Sequence, residues 1–217
     1  MIKKTSPQSL TARFEHLLSI ISSQRFLEMR GINNDLPFYI CDFKVAETFS
    51  MQRVKEQLIN NLSNMRIDCL QGRGVRIFEI NLYDLCIELL KAREGSSNST
   101  LWDEIIAIES SVEKEALLEL MQNVLCVETY LIPAIQEQLS VNDYDVLFLS
   151  GIGEVFPYIR SHNVLNNLQS IAKTKPMVLF FPGEYRHSLQ QGASLELFGL
   201  LHDDKYYRAF NIFEMQI

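Results

Sequence analysis

The run Asp145-Val-Leu-Phe-Leu-Ser-Gly-Ile-Gly-Glu-Val-Phe-Pro-Tyr-Ile-Arg-Ser-His-Asn-Val-Leu-Asn-Asn-Leu168 decides how the chain is read. Its opening, Val146-Leu-Phe-Leu149, is short, wholly apolar and stopped by Ser150-Gly151. That is the pattern of a strand buried on both faces in the middle of a parallel sheet. The loop after it then lies at the carboxyl edge of a central strand, where open α/β sheets bind their ligands and partners. Gly151 and Gly153 let the chain turn sharply there, and Pro157 stiffens the second half of the loop. Tyr158, Arg160 and His162 are therefore expected to be presented from a rigid base.

Two chemistries compete for this loop. Gly151-Ile-Gly153 after a strand invites comparison with a dinucleotide-binding turn, and Glu184, ending the next strand, stands where a ribose-binding acid could sit. The third glycine of that fingerprint is Phe156, however, and Pro157 comes next where a phosphate-cradling helix should be running. Arg160, Ser161 and His162 form a polar cluster, with Asn163, Asn166 and Asn167 one helical turn further on. Ser161 can cap a helix beginning at His162 while the asparagines satisfy loop carbonyls. Alternatively, Arg160 and His162 read an anionic group at the helix N-terminus. No Gly-x-Ser-x-Gly elbow surrounds Ser150 or Ser161, which argues against that class of hydrolase, and a standard P-loop ATPase is excluded because its glycine-lysine signature occurs nowhere.

Outward from the loop, the periodicity alternates between strand and helix. Upstream, Leu10, Phe14, Leu17, Leu18 and Ile21 predict an amphipathic helix over 9–30 ended by Gly31, and Leu36 to Asp42 reads as a first strand. Val54, Leu58, Leu62 and Met65 form the stripe of a helix over 49–65. After Gly72 and Gly74, Val75 to Ile80 is a second strand, so a parallel pair of strands is expected around that helix. Asn81 is a candidate N-cap for a helix through Leu90, and 101–139 reads as two or three further helices, with Pro133 kinking one or starting another. In that stretch Asp103, Glu104, Glu109, Glu113, Glu115, Glu119 and Glu128 face a single Lys114. They form either a solvated face or a docking surface for a basic partner. Downstream, Val164, Leu165, Leu168 and Ile171 mark a helix, and Pro176 to Phe181 a strand stopped by Pro182-Gly183. Leu195 to Leu201 suggests a short helix or irregular segment, and Tyr207 to Phe213 a last strand near the sheet edge. The expectation is a single α/β domain over 1–217: a three-layer sandwich on a mostly parallel sheet of about five strands, with a helical insertion about 101–139.

Composition bounds the function. The apolar share of 47% and charged share of 22% are ordinary for a globular protein, and no apolar run is long enough to cross a bilayer. With no apolar stretch behind Lys3 and Lys4, a cytoplasmic location is expected. Cys41, Cys69, Cys86 and Cys126 lack ligand spacing and read as reduced core thiols. A formal net charge of -7 gives no footprint for direct nucleic-acid binding. Pro182-Gly-Glu-Tyr-Arg-His187 and His202-Asp-Asp-Lys-Tyr-Tyr-Arg208 gather Glu184, Tyr185 and Arg208 near two strand ends. Their spacing favours a turn over a metal site, and no cofactor is expected.

Leu36-Pro-Phe-Tyr-Ile40, Glu79-Ile-Asn-Leu-Tyr-Asp-Leu85, Phe148-Leu-Ser-Gly-Ile-Gly-Glu-Val-Phe-Pro-Tyr-Ile-Arg-Ser-His162, Leu165-Asn-Asn-Leu168, Val178-Leu-Phe-Phe-Pro-Gly-Glu-Tyr185 and Tyr206-Tyr-Arg-Ala-Phe210 resemble, in order, the motifs of the BrxB family. Members of that family are encoded in bacteriophage exclusion (BREX) defence systems. The resemblance implies a non-enzymatic adaptor in a complex that restricts phage DNA and accompanies host DNA methylation. It also implies association with PglZ, a protein of the alkaline-phosphatase superfamily, alongside a large ATPase and an adenine methyltransferase. It carries no catalytic residues to transfer. The competing expectation is a nucleotide- or phosphate-binding protein that uses the Gly151 to His162 loop.

Overall fold

The computed structural model describes residues 9–29, 37–96, 98–188, 192–203 and 209–216. The contacts divide into two compact units, one of Met1–Glu79, Asp143–Leu149 and Ala172–Ile217, the other of Ile80–Asn142 and Ser150–Ile171.

The first unit holds the sheet. Strands β1 (Phe38–Phe43), β2 (Ile77–Asn81), β3 (Val146–Ser150), β4 (Met177–Ser188) and β7 (Phe210–Asn211) run in the order β2-β3-β4-β1-β7. β1 pairs parallel to both β4 and β7, and β3 pairs parallel to β4. The architecture is α/β with a mostly parallel central sheet, as expected, and every residue of β3 is buried. Tyr39, Cys41 and Phe43, Val146 and Phe148, and Val178 and Phe180 alternate toward one face. There they meet Leu17, Ile20 and Ile21 of α1 (Leu10–Ile21) and Met51, Val54, Leu58 and Leu62 of α3 (Thr48–Asn64). Fully burying one such side chain contributes about 1.5–3 kcal/mol, so these helices are held mainly by this stripe.

Five expectations change. The helix expected over 9–30 is two, α1 and α2 (Gln24–Leu27), because Ser22 and Ser23 bond back to the carbonyls of Ser19 and Ile20, and Ser23 then caps α2 through the Phe26 N–H. Gly31, its expected end, and Leu36 lie outside the described residues. The strands on either side of α3 are not neighbours, since β3 and β4, which come later in the chain, are inserted between β1 and β2. Pro182-Gly183 does not stop β4. Gly183 lacks the Cβ that would come within 2.2 Å of the Glu196 carbonyl oxygen, so the strand runs on and pairs antiparallel with β5 (Gly192–Leu197). Leu195 to Leu201 is neither helix nor irregular but belongs to an antiparallel hairpin, β5 with β6 (Leu201–Asp203). It turns at Phe198 (φ 59°) and Gly199 (φ 69°), the left-handed pair that matches strand twist. Of the last strand expected over Tyr207 to Phe213, Tyr207 and Arg208 lie outside the described residues, and the strand ends at Asn211, which accepts from the Phe213 N–H and starts a short 3-10 turn.

The second unit is helical. Asn81 accepts hydrogen bonds from the Tyr83 and Asp84 N–H groups and caps α4 (Leu82–Ala92), whose Leu82, Leu85, Cys86 and Leu90 are buried. Thr100 and Asp103 form a reciprocal capping box on α5 (Leu101–Ile108). α6 (Lys114–Val124) comes next, then one π-helical turn (Val127–Leu131) that runs directly into α7 (Ile132–Val141), with Pro133 in the first turn of α7. α8 (Ser161–Ile171) completes the unit.

Candidate interaction surface

The loop from Gly151 to Arg160 is built from the inside outward. Gly151 has φ 79°, and a Cβ there would lie 2.2 Å from the Asn81 side-chain oxygen and 2.9 Å from the Leu82 and Tyr83 amide nitrogens. The turn is thus pressed against the capped start of α4, an approach only glycine allows. Ile152, Val155 and Ile159 are all buried and pin the loop, and the Ile159 N–H donates to the Val155 carbonyl at 3.0 Å. The Phe156-Pro157 peptide is cis. What remains outward is Glu154, Pro157 and Arg160, all exposed, with Gly153 and Tyr158 half-buried.

α8 continues this surface. The Arg160 carbonyl accepts from the Asn163 and Val164 N–H groups, so Arg160 holds the capping position and Ser161 is the first helical residue, not the cap. Val164, Leu165 and Leu168 are buried, while Asn163 and Asn166 are exposed. Asn167 is half-buried and donates to the Asn163 carbonyl at 2.8 Å. His162 is 8% exposed and Ser161 4%, which corrects the expectation that His162 is presented. At the second position of α8 its side chain falls on the buried side with Leu165, three residues on.

Glu184 and Tyr185 belong to the first unit. Glu184 is exposed and accepts from Arg186 at 2.8 Å. Tyr185 is buried, its hydroxyl donating to the Ala209 carbonyl at 2.6 Å and its N–H to Asp42 at 3.0 Å. Burial pushes the Tyr185 phenol up to about 12. Arg208 lies outside the described residues. Among the described residues no three His, Cys, Asp or Glu side chains are grouped to hold a metal ion, and no helix is long and apolar enough to cross a membrane.

Two acid clusters in the first unit escaped the sequence reading. Asp42 accepts from the Tyr185 N–H and, at 3.0 Å, from Asn211, while burial pushes its carboxyl up. Asp145 accepts from Arg73 at 2.5 and 2.9 Å and from the Arg76 backbone N–H at 2.8 Å. Burial alone would raise the Asp145 carboxyl, but these bonds outweigh it and hold the group well below the usual carboxylate range. For Asp145 the hint in the sequence is an acid directly before a buried strand, whereas Asp42 lies within β1, one residue from its end.

Fold and surface together define an α/β protein that displays a packed loop and a polar helix face from the carboxyl end of a central strand. A family model described as BREX protein BrxB matches residues 78–212. The BREX protein BrxB of Bacillus cereus (strain H3081.97) is 30% identical over 208 residues, 94% of this chain and 98% of its own length. That of Escherichia coli O9:H4 (strain HS) is 24% identical over 204 residues, 94% and 91% of the two chains. No solved structure matches the chain. The chain belongs to the BrxB family.

Proposed function

We propose that the chain serves a BREX anti-phage system as a non-enzymatic, cytoplasmic adaptor that supports phage DNA restriction and host DNA methylation through protein contacts. PglZ is the first expected partner, with the system's ATPase and methyltransferase as further candidates. One observation carries the reading: Ile152, Val155 and Ile159 are buried beneath a loop whose Arg160 is exposed and whose Tyr158 is half-exposed. Arginine and tyrosine on a fixed backbone are the side chains that most often anchor protein interfaces, where truncating one commonly costs about 2 kcal/mol or more. The test is co-purification from cells carrying the whole defence locus. The tagged chain should retain PglZ, and Arg160→Ala should weaken that retention at least tenfold while the melting temperature stays unchanged. Retention of no BREX component by the unaltered chain removes the adaptor reading. A thermal shift with ATP, GTP and NAD tests the competing use of the loop, because a ligand at 100 times its Kd adds about 2.7 kcal/mol.

A further inference from the structure

Among the described α-helices, α8 alone contains no Asp, Glu, Lys or Arg. From Gly151 to Ile171, apart from the buried His162, the titratable side chains that carry charge are Glu154 and Arg160, against a charged share of 22% for the whole chain. Helical spacing gathers what α8 leaves outward, Asn163, Asn166, Asn167 and Ser170, into one stripe that continues from Arg160. Asn167 and Ser170 turn back onto the helix and donate to the carbonyls of Asn163 at 2.8 Å and Asn167 at 2.6 Å. Asn163 and Asn166 are exposed, and among the described residues their side-chain amides bond to no other group.

Neither feature serves the helix itself. Asparagine is among the weaker helix formers, because its amide competes with the backbone for hydrogen bonds, and an exposed position is where a stronger former is free to stand. Solvated helix faces are ordinarily charged, whereas the centres of protein interfaces are depleted of charge. Charge also selects the occupant. Nucleic acids and anionic membranes present phosphates, and this face meets them with Arg160 alone, offset by the exposed Glu154. A strongly charged protein surface would give up its hydration here with no opposite charge to replace it. An asparagine amide offers two donors and an acceptor, so it is matched by groups that also donate and accept: peptide backbone, side-chain amides and hydroxyls.

We infer that the exposed side of α8 extends the interface anchored by Tyr158 and Arg160, and that it receives an uncharged, hydrogen-bonding surface of the partner protein. The inference rests on the adaptor reading and deepens it by naming what the partner presents. The test uses the full chain, tagged, in cells carrying the whole defence locus. Asn163→Ala/Asn166→Ala should melt at or above the parent, since alanine is the better helix former, yet retain PglZ on the order of tenfold less. Asn163→Asp/Asn166→Asp should lose it as well, because each carboxylate keeps the shape of the amide but must be stripped of water. Retention unchanged by the alanine pair means a face that is only solvated and overturns the inference, whatever the aspartate pair does. If Arg160→Ala then loses a component, the adaptor reading stands without it. Loss of retention that tracks a lower melting temperature makes the amides structural and overturns the inference too, as does a dimer of the unaltered chain that the aspartate pair breaks. An unaltered chain that retains no BREX component removes both readings at once.

Discussion

Arg160 and His162 are two residues apart, yet one faces water and the other the interior, so their alanine variants should behave differently. Arg160→Ala is expected to melt with the parent. His162→Ala removes a buried polar side chain and should cost about 1–3 kcal/mol, near 2–4 °C per kcal/mol for a chain of this size, measurable by calorimetry. Asp145 gives a pH-dependent prediction. Its carboxyl titrates below its unfolded value of about 3.9, so it contributes stability above that pH and the contribution is lost as pH falls toward the folded value. Urea midpoints of Asp145→Asn should fall short of the parent at neutral pH, and the gap should close in acid; a constant gap would contradict the ion-pair account. The cysteines also differ. Burial pushes the Cys41 thiol up and that of Cys86 up to about 12, whereas the Thr129 hydroxyl, 3.4 Å from the Cys126 sulfur, lowers Cys126. Mass spectrometry after brief native alkylation should find Cys126 labelled well before Cys41 or Cys86.

Among elements, β4 is the one most open to perturbation, because it serves a parallel sheet with its first half and an antiparallel hairpin with its second. Gly183→Ala would push a methyl into the Glu196 backbone, so β4 and β5 must separate. A loss of several degrees in melting temperature is expected, and an unchanged melting curve would mean that the strands yield freely. Elements read correctly from sequence are those where local chemistry and tertiary demand agree: the unbroken apolar run of β3 and the Asn81 cap of α4. The β5–β6 hairpin was hidden because Glu196 is buried within it and because a phenylalanine, not an asparagine or aspartate, leads its left-handed turn. Adjacency of β1 and β2 could not be judged from their own segment, since strands nearly 70 residues or more downstream occupy the space between them. The loop's position was legible from β3 alone, whereas the inward turn of His162 depends on which side of α8 is covered, and the polar run around it gives no such signal.

At the scale of the whole molecule, the relatives from Bacillus cereus and Escherichia coli align over 94% of the chain, so the sheet and the helical unit are both within the aligned span. The order in which the chain is made adds a constraint of its own. β1 has β4 on one side and β7 on the other, and both follow β2 and β3 in the chain. A ribosome that has translated β1, α3, β2 and β3 has therefore produced strands for which the central partner does not yet exist, and their edges stay open until Met177 and its successors emerge. Unpaired strand edges are templates for wrong pairing, so the nascent chain should need shielding through most of translation. A chain ending at Thr174 should leave β1 and α3 protease-sensitive, with protection of that region arriving only once β4 is included, and arrested nascent chains of graded length would locate that step.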